Sequence, residues 1–164
     1  MKASIQHIHL NVSDAGRSIP FYEAFTKFLG YRMIDKGPDH MGFSNGTTDL
    51  WIVQAELKDT DNSFHRKGAG LNHIAFRVSL RKDVVDFNRD FLRKRDIPTL
   101  YDSPKIFTEY HKGYFAVYFE DPDRVKLEVV YIPKFRDRSK LTQGKALGPK
   151  SDHLPVASGA ARFS

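Results

Sequence analysis

The chain contains no cysteine. Disulfides, thiolate zinc sites and cysteine nucleophiles are therefore excluded, and any metal must be held by His, Asp, Glu or backbone oxygen. No apolar run approaches the roughly 20 residues that a membrane helix needs. The first residues, MKASIQHIHL, lack the apolar core of a signal peptide, so a cytoplasmic location and no membrane partner are expected. A charge excess is also missing from most of the chain. The formal net charge is +6, yet residues 1–133 hold 19 Lys and Arg against 18 Asp and Glu, while residues 134–164 hold seven basic and two acidic residues. The basic surplus belongs to a terminal stretch rich in Gly, Ser, Ala and Pro without an apolar period, which reads as a basic, extended tail. A nucleic-acid role has no support beyond it. GKALGPKS, within that tail, has the wrong glycine spacing for a phosphate loop and no strand before it.

What remains is a chain of 164 residues, 40% hydrophobic and 28% charged, enough for one globular domain with a sizeable core. Its first ordered stretch, IQHIHLNV over residues 5–12, alternates with a period of two, the mark of a half-buried strand. Ile8, Leu10 and Val12 make one face, while His7, His9 and Asn11 make the other. Two histidines and an asparagine side by side either face water or line a polar cavity.

A shift of 66 residues lays IQHIHLNVSDAGRSIPFYEAF over LNHIAFRVSLRKDVVDFNRDF without a gap. His7 meets His73, Val12 meets Val78, Phe21 meets Phe87 and Phe25 meets Phe91. Such a repeat predicts two copies of one supersecondary unit. The first copy, about 4–56, reads as a strand over 4–12, a helix over 15–29 with Asp14 as its cap and Gly30 as its end, and strands over 31–36, 40–45 and 48–56. The second, about 71–132, reads as a strand over 71–79, a helix over 81–95, and strands near 98–102, 113–120 and 125–132. Asp121-Pro122-Asp123 marks a turn, and residues 57–70 form a polar linker. The fold class expected is α+β, with two tandem βαβββ modules whose curved sheets surround a cleft. One such unit has too little core to stand alone, so the other half or a second subunit must complete it.

His7 and His73 occupy the same place in the two copies, and a pseudo-twofold axis would bring them to one point, a geometry suited to a metal. Glu128, in Val125-Lys126-Leu127-Glu128-Val129-Val130, is an acid inside an apolar strand. Burying it is costly without a partner such as a divalent ion, and a glutamate on an edge strand facing water is the alternative. Two histidines and one carboxylate leave coordination positions open, as a catalytic metal requires.

IQHIHLNVSD, SIPFYEAFTKFLGYR, LNHIAFRVS and YFEDPDRVKLEVV together resemble the vicinal oxygen chelate superfamily over about residues 4–132. It contains glyoxalase I, extradiol ring-cleaving dioxygenases, fosfomycin-resistance thiol transferases, methylmalonyl-CoA epimerase and bleomycin-resistance proteins. The resemblance implies paired βαβββ modules with one divalent metal ion in the cleft, and ligand roles for His7, His73 and Glu128. Glyoxalase I has a fourth ligand, whose place falls on Val53 by sequence alignment. A three-ligand site is shared by the dioxygenases and the thiol transferases. The resemblance to the dioxygenase signature makes His111 the acid or base and Tyr118 a donor to bound oxygen, although Glu109 and Arg124 depart from that signature.

Among the remaining residues, His9 shares a face with His7 and either lines the pocket or substitutes as a ligand. Trp51 and Phe107 supply aromatic wall or core, and Arg77 either holds an anionic substrate or faces water. Tyr22 and the FYEAF stripe sit at helical spacing and read as core. His40, His65 and His153 fall in loops or the tail and receive no role. The function expected is a divalent-metal-dependent enzyme acting on a small oxygenated substrate chelated through adjacent oxygens. An extradiol-dioxygenase-like site on Fe(II) is favoured, with Mn, Ni, Co or Zn as other ions. Glyoxalase- or epimerase-type isomerisation and thiol transfer to an antibiotic are alternatives, and a non-catalytic bleomycin-resistance-like binding protein is the alternative of another class. A homodimer is expected, since isolated curved sheets leave apolar surface and edges to cover.

Overall fold

The computed structural model describes residues 2–56, 58 and 65–133. The basic tail and most of the linker read from the sequence lie outside the described residues. The elements follow the repeat. The first module runs β1 (His7–Val12), α1 (Ala15–Phe28), β2 (Arg32–Lys36), β3 (His40–Ser44) and β4 (Asp49–Gln54). The second runs β5 (His73–Val78), α2 (Arg81–Phe87), β6 (Thr99–Ile106), β7 (Phe115–Glu120) and β8 (Lys126–Tyr131). A π-helical turn at Asn88–Leu92 and a 3₁₀ turn at Arg93–Arg95 prolong α2 to the end the sequence predicts. β6 runs four residues further than expected and bulges between Leu100 and Lys105.

Each module builds one four-stranded sheet, in the orders β1-β4-β3-β2 and β5-β8-β7-β6. The first and last strands of each module pair in parallel, and the other pairs are antiparallel. The helix supplies the crossover that a parallel pair requires. Asp14 starts α1 by accepting a hydrogen bond from the Arg17 amide at 3.3 Å. Gly30, at φ 81°, takes the left-handed conformation that ends it.

Alternation sorts the side chains to two faces. Leu10, Val12, Met41, Phe43, Leu50 and Ile52 of the first sheet and Leu127, Val129, Val117 and Phe119 of the second join the helices in one shared core. Phe25 on α1 stands at its centre, wholly buried, with ring centroids 5.0 Å from Phe76, 5.9 Å from Phe87 and 5.6 Å from Phe119. Truncating such a ring to Ala costs about 3–5 kcal/mol. Tyr22 is buried beside it, as the helical stripe predicts, and its hydroxyl donates to Asp121 Oδ2 at 2.7 Å.

The Asp-Pro-Asp turn therefore does more than connect β7 to β8. Asp121 Oδ1 accepts from the amides of Asp123 and Val125 at 2.9 and 2.7 Å. Asp123 accepts from the Ser13 amide at 2.9 Å and pairs with Arg17 at 2.6 Å. The turn of the second module is thus bolted to the helix start of the first. With the apolar faces spent on the core, the polar face of each sheet is turned away from it. On the second sheet, residues Phe107 to Tyr114 fold over part of that face. There Phe107, Ala116, Tyr118 and Val130 make a second, smaller cluster.

Candidate functional site

The polar face of the second sheet carries His73 from β5, Glu128 from β8 and Tyr118 from β7. In the register, Ala75 lies opposite Glu128 and Tyr118 lies on its other side. Glu128 is completely buried. Its Oε1 accepts a hydrogen bond of 2.5 Å from the Tyr114 hydroxyl. Burial first, and then the Glu128 charge, hold the Tyr114 and Tyr118 phenols well above the ordinary tyrosine range, so both stay protonated donors beside the carboxylate.

Glu128 Oε2 lies 3.2 Å from His73 Nε2, yet it has no hydrogen-bond partner among the described residues. Asn72 Nδ2 donates to the Arg66 carbonyl at 3.1 Å, which fixes the amide so that its Oδ1 accepts from His73 Nδ1 at 2.8 Å. In a neutral ring this contact puts the proton on Nδ1 and turns the Nε2 lone pair to the carboxylate oxygen. A buried carboxylate oxygen facing a histidine lone pair needs a proton or a cation between them. Two donors each about 2.1 Å from one ion, at an angle of about 100°, stand roughly this far apart. The pair therefore fits a divalent metal.

The polar face of the first sheet is built on the same plan up to the carboxylate place. His7 Nδ1 is hydrogen-bonded to Gln6 Oε1, and Gln6 Nε2 donates to Asp49 at 2.8 Å. The residue before each histidine is thus an amide that directs Nε2 outward. His7, His9 and Asn11 are exposed. The carboxylate place differs. His73 is opposite Lys126 and Glu128 lies two residues on; His7 is opposite Asp49, so the matching residue is Trp51. The register thereby moves the fourth-ligand place from Val53, where sequence alignment puts it, to Trp51. Trp51 crosses Gly42, where a Cβ would come within 2.8 Å of the indole, and its ring stacks on His9 at 5.8 Å. Gly42 is the counterpart of Tyr118.

The structure thus brings together His73, Glu128 and Tyr118. His7 and His9 stand on the other sheet, with ring centroids 5.2 Å apart. Among the described residues, no three His, Asp or Glu side chains gather at one point, so one chain does not join His7 to the His73–Glu128 pair. His111 hydrogen-bonds through Nδ1 to the Lys112 carbonyl at 2.8 Å. Arg77 continues the His73 face beyond Ala75, is exposed, and borders a cleft with Phe28, Ser79, Asp83 and Asp86. Phe107 packs edge-on against Tyr118 at 5.2 Å, as wall and core at once.

Sequence reasoning passed over Tyr114, Asn72 and Gln6. Each had a signal. Tyr114 shares the parity of Ala116 and Tyr118, and Gln6 and Asn72 occupy equivalent places in the repeat.

Comparison with known proteins follows the same outline. The model of the Glyoxalase/Bleomycin resistance protein/Dioxygenase superfamily matches residues 4–129. The Bacillus subtilis (strain 168) protein YqjT is 36% identical over 126 residues, covering 77% of this chain and 97% of its own. A crystal structure of a candidate glyoxalase from Bacillus halodurans superposes with a TM-score of 0.72 at 33% identity, covering 78% of this chain and 95% of that one. Lactoylglutathione lyase from Agrobacterium tumefaciens shares the fold, with a TM-score of 0.57 at 21% identity and coverage of 79% and 94%.

Proposed function

The chain belongs to the glyoxalase/bleomycin resistance protein/dioxygenase superfamily, and from that premise we propose that it is a divalent-metal-dependent enzyme acting on a small molecule bound through two adjacent oxygens. His73 and Glu128 of one chain and His7 of a second copy are the proposed ligands. The observation that carries this reading is the buried Glu128 Oε2, without a hydrogen bond and 3.2 Å from His73 Nε2. An ion held by these residues would supply Lewis-acid stabilisation of negative charge on the chelated oxygens.

The chain's own residues do the rest. Asn72 and Gln6 hold the two imidazoles in one tautomer and one orientation. Tyr114 fixes the Glu128 carboxylate, and Tyr118, protonated and beside it, is the proposed donor to substrate oxygen. His9 and Trp51 form an aromatic wall on the facing sheet. A homodimer follows from the reading, because the exposed His7 face needs a partner that one chain does not supply.

Trp51 in the fourth-ligand place favours a three-ligand His, His, Glu set, the set associated above with extradiol ring cleavage on Fe(II). A second reading, isomerisation of the glyoxalase or epimerase type on Mn, Ni, Co or Zn, is favoured by the likeness to the candidate glyoxalase from Bacillus halodurans. His111, bonded through Nδ1 to the Lys112 carbonyl, keeps Nε2 free as an acid or base for either reaction.

Elemental analysis of protein purified without chelators or a His-tag tests the metal. About one divalent ion per chain in wild type, and loss of it in His73→Ala, is expected. No metal in either protein, and none taken up on incubation, contradicts the reading and leaves a ligand-binding protein. Iron sends the next assay to catechols with oxygen uptake; nickel, cobalt or zinc sends it to hemithioacetals and epimerisable acyl thioesters.

A further inference from the structure

Lys126 lies opposite His73 in the β5–β8 register and two residues before Glu128, so its side chain leaves the sheet on the same face. It is only 5% exposed. Two carboxylates belong to that face, and both are engaged elsewhere. Glu120, opposite Lys126 on β7, is paired with Arg66 and, at 3.5 Å, with Arg124. Glu128 is held by Tyr114 and faces His73. Among the described residues, no carboxylate lies within ion-pair distance of the Lys126 ammonium. Its hydrogen bond is a long one, 3.5 Å to the Tyr101 hydroxyl. The rings of Tyr101 and Tyr118 stand 5.6 and 5.8 Å away. Ring faces offset part of the cost of burying a cation, but a buried ammonium calls for a counter-charge.

The Tyr101 side of this arrangement is built at a cost. Tyr101 and Asp102 are both in the left-handed region, at φ 61° and 51°, a conformation that bulky residues rarely hold unless their surroundings impose it. The bulge in β6 turns the Tyr101 ring edge-on to Tyr118 at 5.4 Å and leaves it 37% exposed. One of the two rings beside the ammonium thus itself reaches solvent.

We propose that Lys126 and Tyr101 form an oxyanion-binding subsite beside the His73–Glu128 pair, which selects substrates carrying a carboxylate or phosphoryl group next to their chelating oxygens. The placement of that group relative to the chelating oxygens rests on the metal reading above; the subsite itself does not. The ammonium supplies the charge and the phenol a second donor.

The test uses the metal-free full-length chain, isotope-labelled, with backbone amide shifts followed by NMR during separate titrations with oxalate and with inorganic phosphate. Wild type is expected to show saturable shifts around Tyr101, Tyr118 and Lys126. Lys126→Met, which keeps the stem and removes the charge, should bind at least tenfold more weakly. Lys126→Arg should retain binding, and Tyr101→Phe should weaken it two- to fivefold. A response to oxalate alone assigns a carboxylate, and a response to phosphate alone a phosphoryl group. The absence of saturable shifts in wild type overturns the proposal, as does equal binding in Lys126→Met. Should Lys126→Met not fold, Tyr101→Phe decides by the same comparison. Failure of metal uptake in the elemental analysis would refute the metal reading while leaving these shifts intact.

Discussion

The two modules share a plan and part at the place of the buried carboxylate. Both begin with an amide-histidine pair on the first strand, Gln6-His7 and Asn72-His73, and in both the amide oxygen accepts from Nδ1. At the matching place on the last strand, one module has Trp51 and the other Glu128. The strand beside it adapts to each choice: Gly42 leaves room for an indole, whereas Tyr118 leans a phenol on a carboxylate. Burial follows chemistry. The charged member is fully buried beside β7 and the Phe107–Tyr114 segment, while His7 and His9 of the first sheet remain exposed. A duplicated scaffold can therefore divide its labour. One half carries a buried carboxylate and its supports, and the other presents exposed histidines beside an indole.

The strongest way to break this asymmetry is to neutralise its one charged ligand. Glu128→Gln is expected to lose more than about a hundredfold in affinity for a divalent ion, since even the groups that orient metal ligands are worth 10–100-fold. Titration calorimetry with Zn or Mn checks this, and an unchanged dissociation constant would mean that Glu128 is structural. Next come the amides themselves. Asn72→Ala and Gln6→Ala should each weaken metal binding about 10–100-fold, by equal steps, if the modules use their histidines in the same way. A loss in Asn72→Ala alone would confine the site to the second module. Trp51→Glu sharpens the comparison in the other direction. It places a carboxylate where the first module lacks one, and metal affinity should rise about tenfold, read by the same titration.

The smallest effect concerns the bolt between the modules. Burial pushes the Asp121 carboxyl up to about 6 from an ordinary 3.8. A raised carboxyl pKa means that the native state holds the proton more tightly than the unfolded chain. Its contribution to stability is then full below about pH 4 and lost as the pH rises through about 6. Carboxylates held low by neighbouring cations, such as Asp86 and Asp90, act in the opposite sense, so the informative quantity is a difference. The stability of wild type minus that of Asp121→Asn, from urea melts at pH 4, 5, 6 and 7, should decline across that range. A flat difference would contradict the assignment.

The module plan was legible because a period-two strand followed by a capped helix recurs 66 residues on, with His7 over His73 and Phe25 over Phe91. Strand and helix limits then followed from Gly30, the Asp121-Pro122-Asp123 turn and alternation. Glu128 stood out as an acid among apolar neighbours. The fourth-ligand place was not legible because the offset between modules is not constant. It is 66 residues at the first strand and grows to 77 at the last, from Asp49 to Lys126. The extra residues lie in the longer β6 and the Phe107–Tyr114 segment that covers Glu128, and a single shift of the sequence cannot track them. Nor could the sequence tell whether His7 meets His73 within a chain, since that depends on how the two sheets share the helices. The shared core around Phe25 turns both polar faces outward.

Everything about the site turns on whether two copies of the chain complete it. The most direct measurement mixes His7→Ala with His73→Ala under conditions that exchange subunits, and then counts tightly bound metal. Neither variant alone should hold an ion tightly. In a mixed dimer one of the two sites regains an intact His7 and an intact His73–Glu128 pair. An equal mixture should therefore bind about one ion per four chains, given statistical pairing in a twofold dimer. No metal regained on mixing, with subunit exchange verified, would contradict a site shared between chains.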